Sequence, residues 1–422
     1  MTDTEARRAA IVHAARMARD AAALVAIADT ERKNAALRAM ARGLVDRCGE
    51  ILAANARDVE AAREGGLADA MIDRLALTEA RVRAIADGVL EVAALPDPVG
   101  EISQLRRRPN GLLVGRMRIP LGVVAIIYEA RPGVAADAAA LCLKSGNAVV
   151  LRGGSDAARS NAVIGEVLSQ AVAGAGLPPQ AVTVINDTGR DSIAWLVQVE
   201  DAVDLAIPRG GEGLIRFVTE NARVPVLKHY KGVCHLYVDE WADGQIAVDL
   251  AVNGKTQRPG VCNALETILF HERVAGELLP RVCGALAEMG VEIRGCEKTR
   301  ALFPAAVSAT DEDWATEYLG LIVSVRVVAD MDEAIRHIRL FGSGHTEAIA
   351  TAHHTRAMDF LRRVDSSTVL VNASTRFADG QQLGLGAEIG ISTSKMHAYG
   401  PMGLEGLTTQ KFIVFGDGQI RT

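Results

Sequence analysis

From residue 121 onward the chain repeats one pattern. A short apolar run is followed by a turn, then by a longer stretch with apolar positions three or four residues apart. LGVVAIIY, AVVLRGG, AVTVIND and AVDLAIPRGG read as strands; ADAAALCLKSG, DAARSNAVIGEVLSQAVAGAG, DSIAWLVQ and EGLIRFVTENA read as the helices between them. VPVLKHY and VCHLYVDE close the series as two further strands. The alternation then restarts through ETILFHE, RVAGELLPRVCGALAEMG, VEIRG, LGLIVSVRVV, MDEAIRHIRLFG, EAIATAH, TRAMDFLRRV and STVLVNA. Short apolar strands separated by helices specify a parallel sheet covered on both faces. The pattern therefore predicts an α/β chain with two such sheets. Sheets of this kind take ligands at the carboxyl ends of their strands.

Before this series, residues 5 to about 95 carry Ala, Arg, Leu and Glu at helical spacing, and the prolines of LPDPVG end the run. QLRRRPNGLLVGRMRIP then places Asn110-Gly111 between two strand-like arms, a strong hairpin signal. Its arms hold few core residues, so the hairpin is expected to pair elsewhere. The tail LTTQKFIVFGDGQIRT reads as a strand extending the same exposed sheet. Unpaired edges invite partners, and a homo-oligomer is the expectation.

Composition narrows the function. The 422 residues carry a formal net charge of −6, which argues against a nucleic-acid partner. No apolar run approaches the ~20 residues of a membrane span, and the N-terminus lacks a signal peptide's apolar core. None of the six cysteines sits in a CxxC pair. They read as reduced thiols of a cytoplasmic enzyme.

One cysteine stands apart. Cys262, in QRPGVCNALET, follows a Pro-Gly turn and precedes the apolar start of the second α/β series. It is either a small buried hydrophobe or a nucleophile. Lys255 and Arg258, or a nearby helix N-terminus, would favour its thiolate. Two strand ends carry Gly-Gly: Arg152-Gly153-Gly154-Ser155, and Arg209-Gly210-Gly211. Each is an ordinary tight turn or a phosphate cradle, since backbone N–H groups at a helix start suit a pyrophosphate. GLGAEIG, from Gly384, imitates a nucleotide fingerprint, but Ile389 occupies the third glycine's place; we read it as a loop beside the active site. No GxSxG elbow is present, and His353-His354 lacks partners at metal-ligand spacing, so no metal is expected.

The strings IYEARPGV, LKSGNAVVLRGGSDA, VPVLKHYKGVCH, NGKTQRPGVCNALET and AIRHIRLFGSGHTEAI, in this order, resemble the gamma-glutamyl phosphate reductase family of the aldehyde dehydrogenase superfamily. The resemblance spans most of the chain. It implies the aldehyde dehydrogenase-like fold: two Rossmann-like parallel-sheet α/β domains plus a small β oligomerisation element. Residues 1–103 and 119–230, with 373–399, would bind NADP; 231–372 would form the catalytic domain; 104–118 and 400–422 would form the oligomerisation element. It implies a reaction too. Cys262 would attack L-glutamyl 5-phosphate, expel phosphate and form a thioester, which NADPH would reduce to L-glutamate 5-semialdehyde, a step of proline biosynthesis. A separate glutamate 5-kinase would supply the acyl phosphate and is a candidate associate.

The resemblance assigns residues. Arg152 would meet the adenosine ribose or its 2′-phosphate, Gly153, Gly154 and Ser155 would line that turn, Gly210 and Gly211 would take the pyrophosphate, and Glu317 would hold the nicotinamide ribose. Ser374 and Thr375, in NASTRFADG, would anchor the substrate carboxylate; Arg131, His345 and Thr346 are further substrate contacts. The chain also departs from oxidative superfamily members. VLKHYKG has no carboxylate where those members keep the glutamate that activates water. Ala130 stands in place of their oxyanion Asn, so the Cys262 N–H and Asn263 are the candidate donors. Phe341 replaces a His or Tyr of the reductase signature. Two other readings stay open: an oxidative NAD(P)-dependent aldehyde dehydrogenase of another substrate, and a silent scaffold.

Overall fold

A computed structural model of the chain describes residues 2–421 apart from Ala130 and His229, with Ala70 described through its backbone alone. The chain forms two compact units. The first comprises Met1–Lys228, Leu385–Gly390 and Met402–Thr422; the second comprises His229–Gly384 and Ile391–Pro401.

The first unit opens with helices Asp3–Val25, Thr30–Asp46, Cys48–Glu64, Asp69–Leu75 and Glu79–Ala94. Their starts are chemically marked. Thr2 and Glu5 form a reciprocal capping box, and Asp29 and Thr78 accept hydrogen bonds from the N–H groups three residues on. The central sheet is parallel, in the order Val182–Val184, Ala148–Gly153, Val123–Tyr128, Leu205–Arg209. Val123–Tyr128 and Ala148–Gly153 are buried at every position, which is why these runs are continuously apolar and not alternating. The register sets Tyr128 opposite both Gly153 and Arg209, so three carboxyl strand ends lie side by side with the two Gly-Gly turns. VPVLKHY forms no strand among the described residues. It contributes a single bridge, Ala206 to Val226, because Pro225 has no N–H to continue a ladder.

The expected hairpin is present, with Gly111 at a φ of 88° and the Asn110 side chain accepting the Leu112 N–H at 3.2 Å. Its arms, Ile102–Arg107 and Leu113–Pro120, join the tail strand Thr408–Phe415 in an antiparallel sheet. The tail pairs without interruption from Thr408 opposite Pro120 to Phe415 opposite Leu113. Phe412, Val414 and Phe415 remain exposed on it. The GLGAEIG loop packs in this unit too, where a Cβ on Gly386 would lie 2.3 Å from Leu95 Cδ2.

The second unit has a fully parallel seven-stranded sheet. Its order is Val307–Ser308, Glu292–Gly295, Ile322–Val328, Leu265–His271, Cys234–Val238, Thr346–Ala350, Thr368–Val371. Leu265–His271 is buried throughout, at the centre. Leu236, Ile268, Phe270, Leu279, Val282 and Val325 belong to one core cluster on this sheet. Cys262 precedes the central strand, in the turn after helix Gly244–Thr256. Cys234 and Thr346 likewise begin their strands. The candidate nucleophile of this unit therefore sits at the amino ends of the strands, opposite to the end that the general rule for open α/β sheets favours.

Candidate active site

Cys262 is half-buried, and its main chain is gripped from one side by the segment that starts the neighbouring strand. A Cβ on Gly232 would lie 1.8 Å from the Cys262 carbonyl oxygen and 2.8 Å from its Cα, so the residue facing the nucleophile must be glycine. The Gly232 N–H donates to Glu317 Oε1 at 2.9 Å, and the Val233 N–H donates to Ser343 Oγ at 2.9 Å. The Cys234 thiol donates to the Cys262 carbonyl at 3.2 Å. Burial pushes the Cys234 thiol well above the ordinary range, so it stays protonated and keeps that proton to donate. No disulfide joins any of the six cysteines.

Behind Cys234 lies His345, its Nδ1 3.8 Å from the Cys234 sulfur and 2.7 Å from Thr346 Oγ1. Both His345 and Thr346 are fully buried. In this structure they form the shelf behind Cys234 and are not exposed. Ser374 and Thr375 are likewise enclosed. Ser374 is buried and caps a short 3-10 turn by accepting the Arg376 N–H at 3.3 Å. Thr375 is 2% exposed, and its hydroxyl has no hydrogen-bond partner. Asn263 also changes role. Its amide nitrogen donates to the carbonyls of Ala378 at 3.0 Å and Arg376 at 3.4 Å, so it staples this loop beside the nucleophile and its donors are not directed at an oxyanion.

Lys255 is not a surface cation near the thiol. It is fully buried and paired with an equally buried Glu266 at 2.6 Å. Burial outweighs the attraction between them: it raises Glu266 to about 7 and lowers Lys255. The second Glu266 oxygen accepts the Leu319 N–H at 3.4 Å, and Leu319 holds a left-handed backbone with φ 53°. The pair thereby fixes the turn that presents Glu317. The cationic residue the sequence reading overlooked is Arg376. Burial and Arg258 lower its pKa, while Asp379, Cys262 and Cys234 raise it.

In the first unit the two Gly-Gly turns differ. Gly153 is packed tight: a Cβ there would lie 2.1 Å from Asn161 Nδ2 and 3.1 Å from Tyr128 Cζ. Arg152 is buried, with Nε donating to Ser192 Oγ at 3.1 Å and an Nη donating to the Gly189 carbonyl at 3.0 Å. Its guanidinium closes the start of helix Arg190–Leu196, so it does not present itself to a ribose phosphate as expected. Gly154 and Ser155 begin a 3-10 turn, Ser155 exposed and bonded to Asp156 at 3.3 Å. The second turn behaves as an anion site. The Gly211 N–H, at the start of helix Glu212–Asn221, donates to Glu129 Oε2 at 2.8 Å. A Cβ on Gly210 would lie 2.4 Å from the same oxygen. An acidic oxygen seated on a helix N-terminus is the arrangement a pyrophosphate oxygen would adopt. Arg131 is exposed in this unit. Ala130 lies outside the described residues, and so does His229 of the VLKHYKG string.

Residues 2–302 match the family model described as the aldehyde dehydrogenase family. The chain belongs to the aldehyde dehydrogenase family. Within that family it is similar to two curated proteins named gamma-glutamyl phosphate reductase, from Geobacter metallireducens and Moorella thermoacetica. Each is 56% identical over 404 residues, 96% of this chain and 97% of the relative. The crystal structure of gamma-glutamyl phosphate reductase from Thermotoga maritima superposes with a TM-score of 0.96 at 46% identity, covering 98% of this chain and all of that one. The aldehyde dehydrogenase match includes Gly232, Cys262 and both Gly-Gly turns and ends before Glu317 and Arg376.

For an aldehyde dehydrogenase family member, the residues missed from sequence are mostly supports. Gly232 ended the string VLKHYKG, read for its lack of a carboxylate, and Cys234 sat in VCHLYVDE, read only as a strand. Glu129 sat in a string read for Ala130. A glycine two residues before a buried strand is one signal that was available for Gly232, since it suits a close backbone approach.

Proposed function

We propose that this chain reduces L-glutamyl 5-phosphate to L-glutamate 5-semialdehyde and inorganic phosphate through a thioester on Cys262. The observation that carries the reading is the Gly232 clamp on Cys262: a thiol that only fills space needs no glycine 1.8 Å from its carbonyl oxygen at the Cβ position. The extent of the likeness to the named reductases supports the choice of substrate.

In this reading the Cys262 sulfur attacks the substrate's side-chain acyl carbon. The bond to the bridging oxygen breaks, and that oxygen leaves with its electron pair as part of phosphate. The Cys262 main-chain N–H donates to the developing oxyanion, because Asn263 is engaged with the 376–378 loop. NADPH would supply the hydride to the acyl carbon; the C–S bond then breaks, its electron pair returns to the Cys262 sulfur, and the semialdehyde is released. Gly210 and Gly211, where the Gly211 N–H now holds a carboxylate oxygen, would take its pyrophosphate, and Glu317 would hold the nicotinamide ribose. The thioester survives until then because the acids of this cluster are occupied. Glu317 accepts from Gly232, and Glu266 is locked to Lys255. Neither is available as a base for water.

A separate kinase supplies the acyl phosphate, and the exposed antiparallel sheet joins chains into a homo-oligomer. The deciding experiment is the reverse reaction, semialdehyde plus NADP with and without inorganic phosphate. Reduction of NADP that requires phosphate supports the reading. Equal rates without phosphate would make the chain an oxidative aldehyde dehydrogenase.

A further inference from the structure

Among the described residues of the second unit, two arginines lie beside the nucleophile without carboxylate partners at ion-pair distance: Arg258 and Arg376. Arg294 and Arg326, by contrast, are paired, with Asp313 at 2.7 Å and with Glu333 at 3.2 Å. Arg258 is exposed, four positions before Cys262. Arg376 is half-buried in the loop that Asn263, the residue after Cys262, holds by two main-chain carbonyls. The Arg376 Nε donates to Gln257 Oε1 at 2.8 Å, which turns its guanidinium toward the segment carrying Arg258. Two like charges are thus brought together by the segment before Cys262 and the loop tied to the residue after it.

We propose that Arg376 and Arg258 form the subsite for the phosphate group of the acyl phosphate, holding it as substrate and again as the departing inorganic phosphate. The assignment rests on the reaction proposed above. Three observations support it. The mutual repulsion of the two cations is unfavourable unless an anion sits between them. Asp379 acts on Arg376 only from beyond ion-pair distance and does not neutralise it. A guanidinium presents parallel N–H groups that match two phosphate oxygens, whereas a thiolate offers one point of charge. In the chemical step the C–O bond to phosphate breaks as the C–S bond forms. The electron pair of the broken bond goes to the bridging oxygen, and the two arginines meet the charge that develops there. In reverse, they hold phosphate in place to attack the thioester.

The competing explanation is that the pair serves the thiol, keeping it ionised. The reverse reaction separates the two, with phosphate as the varied substrate and Arg376→Gln, Arg376→Lys and Arg258→Gln as variants. The expected result is a KM for phosphate raised about tenfold or more in Arg376→Gln, as loss of a charge-assisted bidentate contact implies. Arg376→Lys restores part of it, and Arg258→Gln, whose side chain is exposed and not needed for folding, raises it in the same direction. The KM values for semialdehyde and NADP stay within twofold. An unchanged phosphate KM overturns the proposal. So does a rise confined to the semialdehyde KM, which would put the substrate carboxylate there, and so does a slower alkylation of Cys262 with phosphate kinetics unaltered. Calorimetric titration of inorganic phosphate into wild type and Arg258→Gln needs no turnover. If the wild-type enzyme shows no phosphate-dependent reaction, the function above fails, and the titration still decides whether the subsite exists.

Discussion

Gly232→Ala tests the clamp directly. The added methyl would start 1.8 Å from the Cys262 carbonyl oxygen, 2.6 Å from its carbon and 2.8 Å from its Cα. Ordinary contact needs roughly 3.5 Å, so the two backbones must part by about 1.5 Å. Neither can yield cheaply, because the atoms met are main chain, Gly232 is held by Glu317, and the residue after Cys262 is tied to the 376–378 loop. A displacement of ~1 Å at a reacting atom costs on the order of a hundredfold in rate, or about 2.7 kcal/mol of barrier. Overpacking costs a further ~1–3 kcal/mol of stability. The expected outcome is therefore kcat/KM down about a hundredfold, with a modest fall in Tm. Gly276→Ala is the matched control. It lies in helix Glu272–Glu288, and its Cβ would meet nothing within 4 Å. That change should leave activity intact and stabilise by roughly 0.5–1 kcal/mol. If Gly232→Ala kept activity within about threefold of wild type, the positioning argument would be wrong.

Four further outcomes follow from other parts of the structure. Lys255→Met strands a buried carboxylate and should cost about 3–5 kcal/mol by denaturant titration, while Lys255→Met with Glu266→Gln costs clearly less; equal losses would show that the pair is not a closed unit. Glu266, raised by burial from 4.5 to about 7, contributes stability that is complete below its ordinary value and lost as pH rises through 7. Glu266→Gln should remove that slope from a Tm-against-pH series, and a slope that persists would assign it elsewhere. Glu129→Ala removes the internal anion from the Gly211 N–H and should tighten NADPH binding about two- to fivefold by fluorescence titration; weaker binding would mean that Glu129 assists the cofactor. Phe412→Asp places a charge on the exposed tail strand, where Arg116 now stacks at 3.5 Å from the ring centroid, and should release single chains in light scattering. A wild-type monomer at micromolar concentration would remove the premise.

The fold was legible because its signals are local. Val123–Tyr128 and Ala148–Gly153 are apolar at every position because they are buried on both faces, and that pattern is readable without any partner in view. The hairpin was legible through Asn110-Gly111, whose backbone demand is written in two residues. Cys262 stood out as the candidate nucleophile through its Pro-Gly approach. What the site does with its neighbours was not legible, because those contacts join residues far apart in sequence. Arg152 looked like a phosphate ligand, yet its guanidinium turns inward to the Gly189 carbonyl, and nothing in RGGSD shows that. Lys255 looked like a cation near the thiol, and only the buried Glu266 eleven positions later reveals that its charge is taken. The hydroxyls of Ser374 and Thr375 invited a carboxylate, but a tight turn with Ser374 as its cap buries both. The residue after them, Arg376, carried the more informative charge.

A consistent design links these supports. The grip on Cys262 described above acts through its main chain: Gly232 lies against its carbonyl, Cys234 donates to that carbonyl, and Asn263 ties the next residue to the 376–378 loop. Gly232 is in turn held by Glu317, whose turn is held by the Leu319 N–H on Glu266, and Glu266 is closed by Lys255. Each carboxylate in this series is an acceptor of N–H groups, and this has two effects at once. It fixes the peptide that carries the sulfur, and it takes away the bases that could activate water against an acylated sulfur. An oxidative enzyme needs a carboxylate that is positioned but uncommitted. Here Glu317 and Glu266 are both hydrogen-bonded into the scaffold that holds Cys262, so in the proposed reaction rigidity at Cys262 and protection of its thioester would share one structural cause.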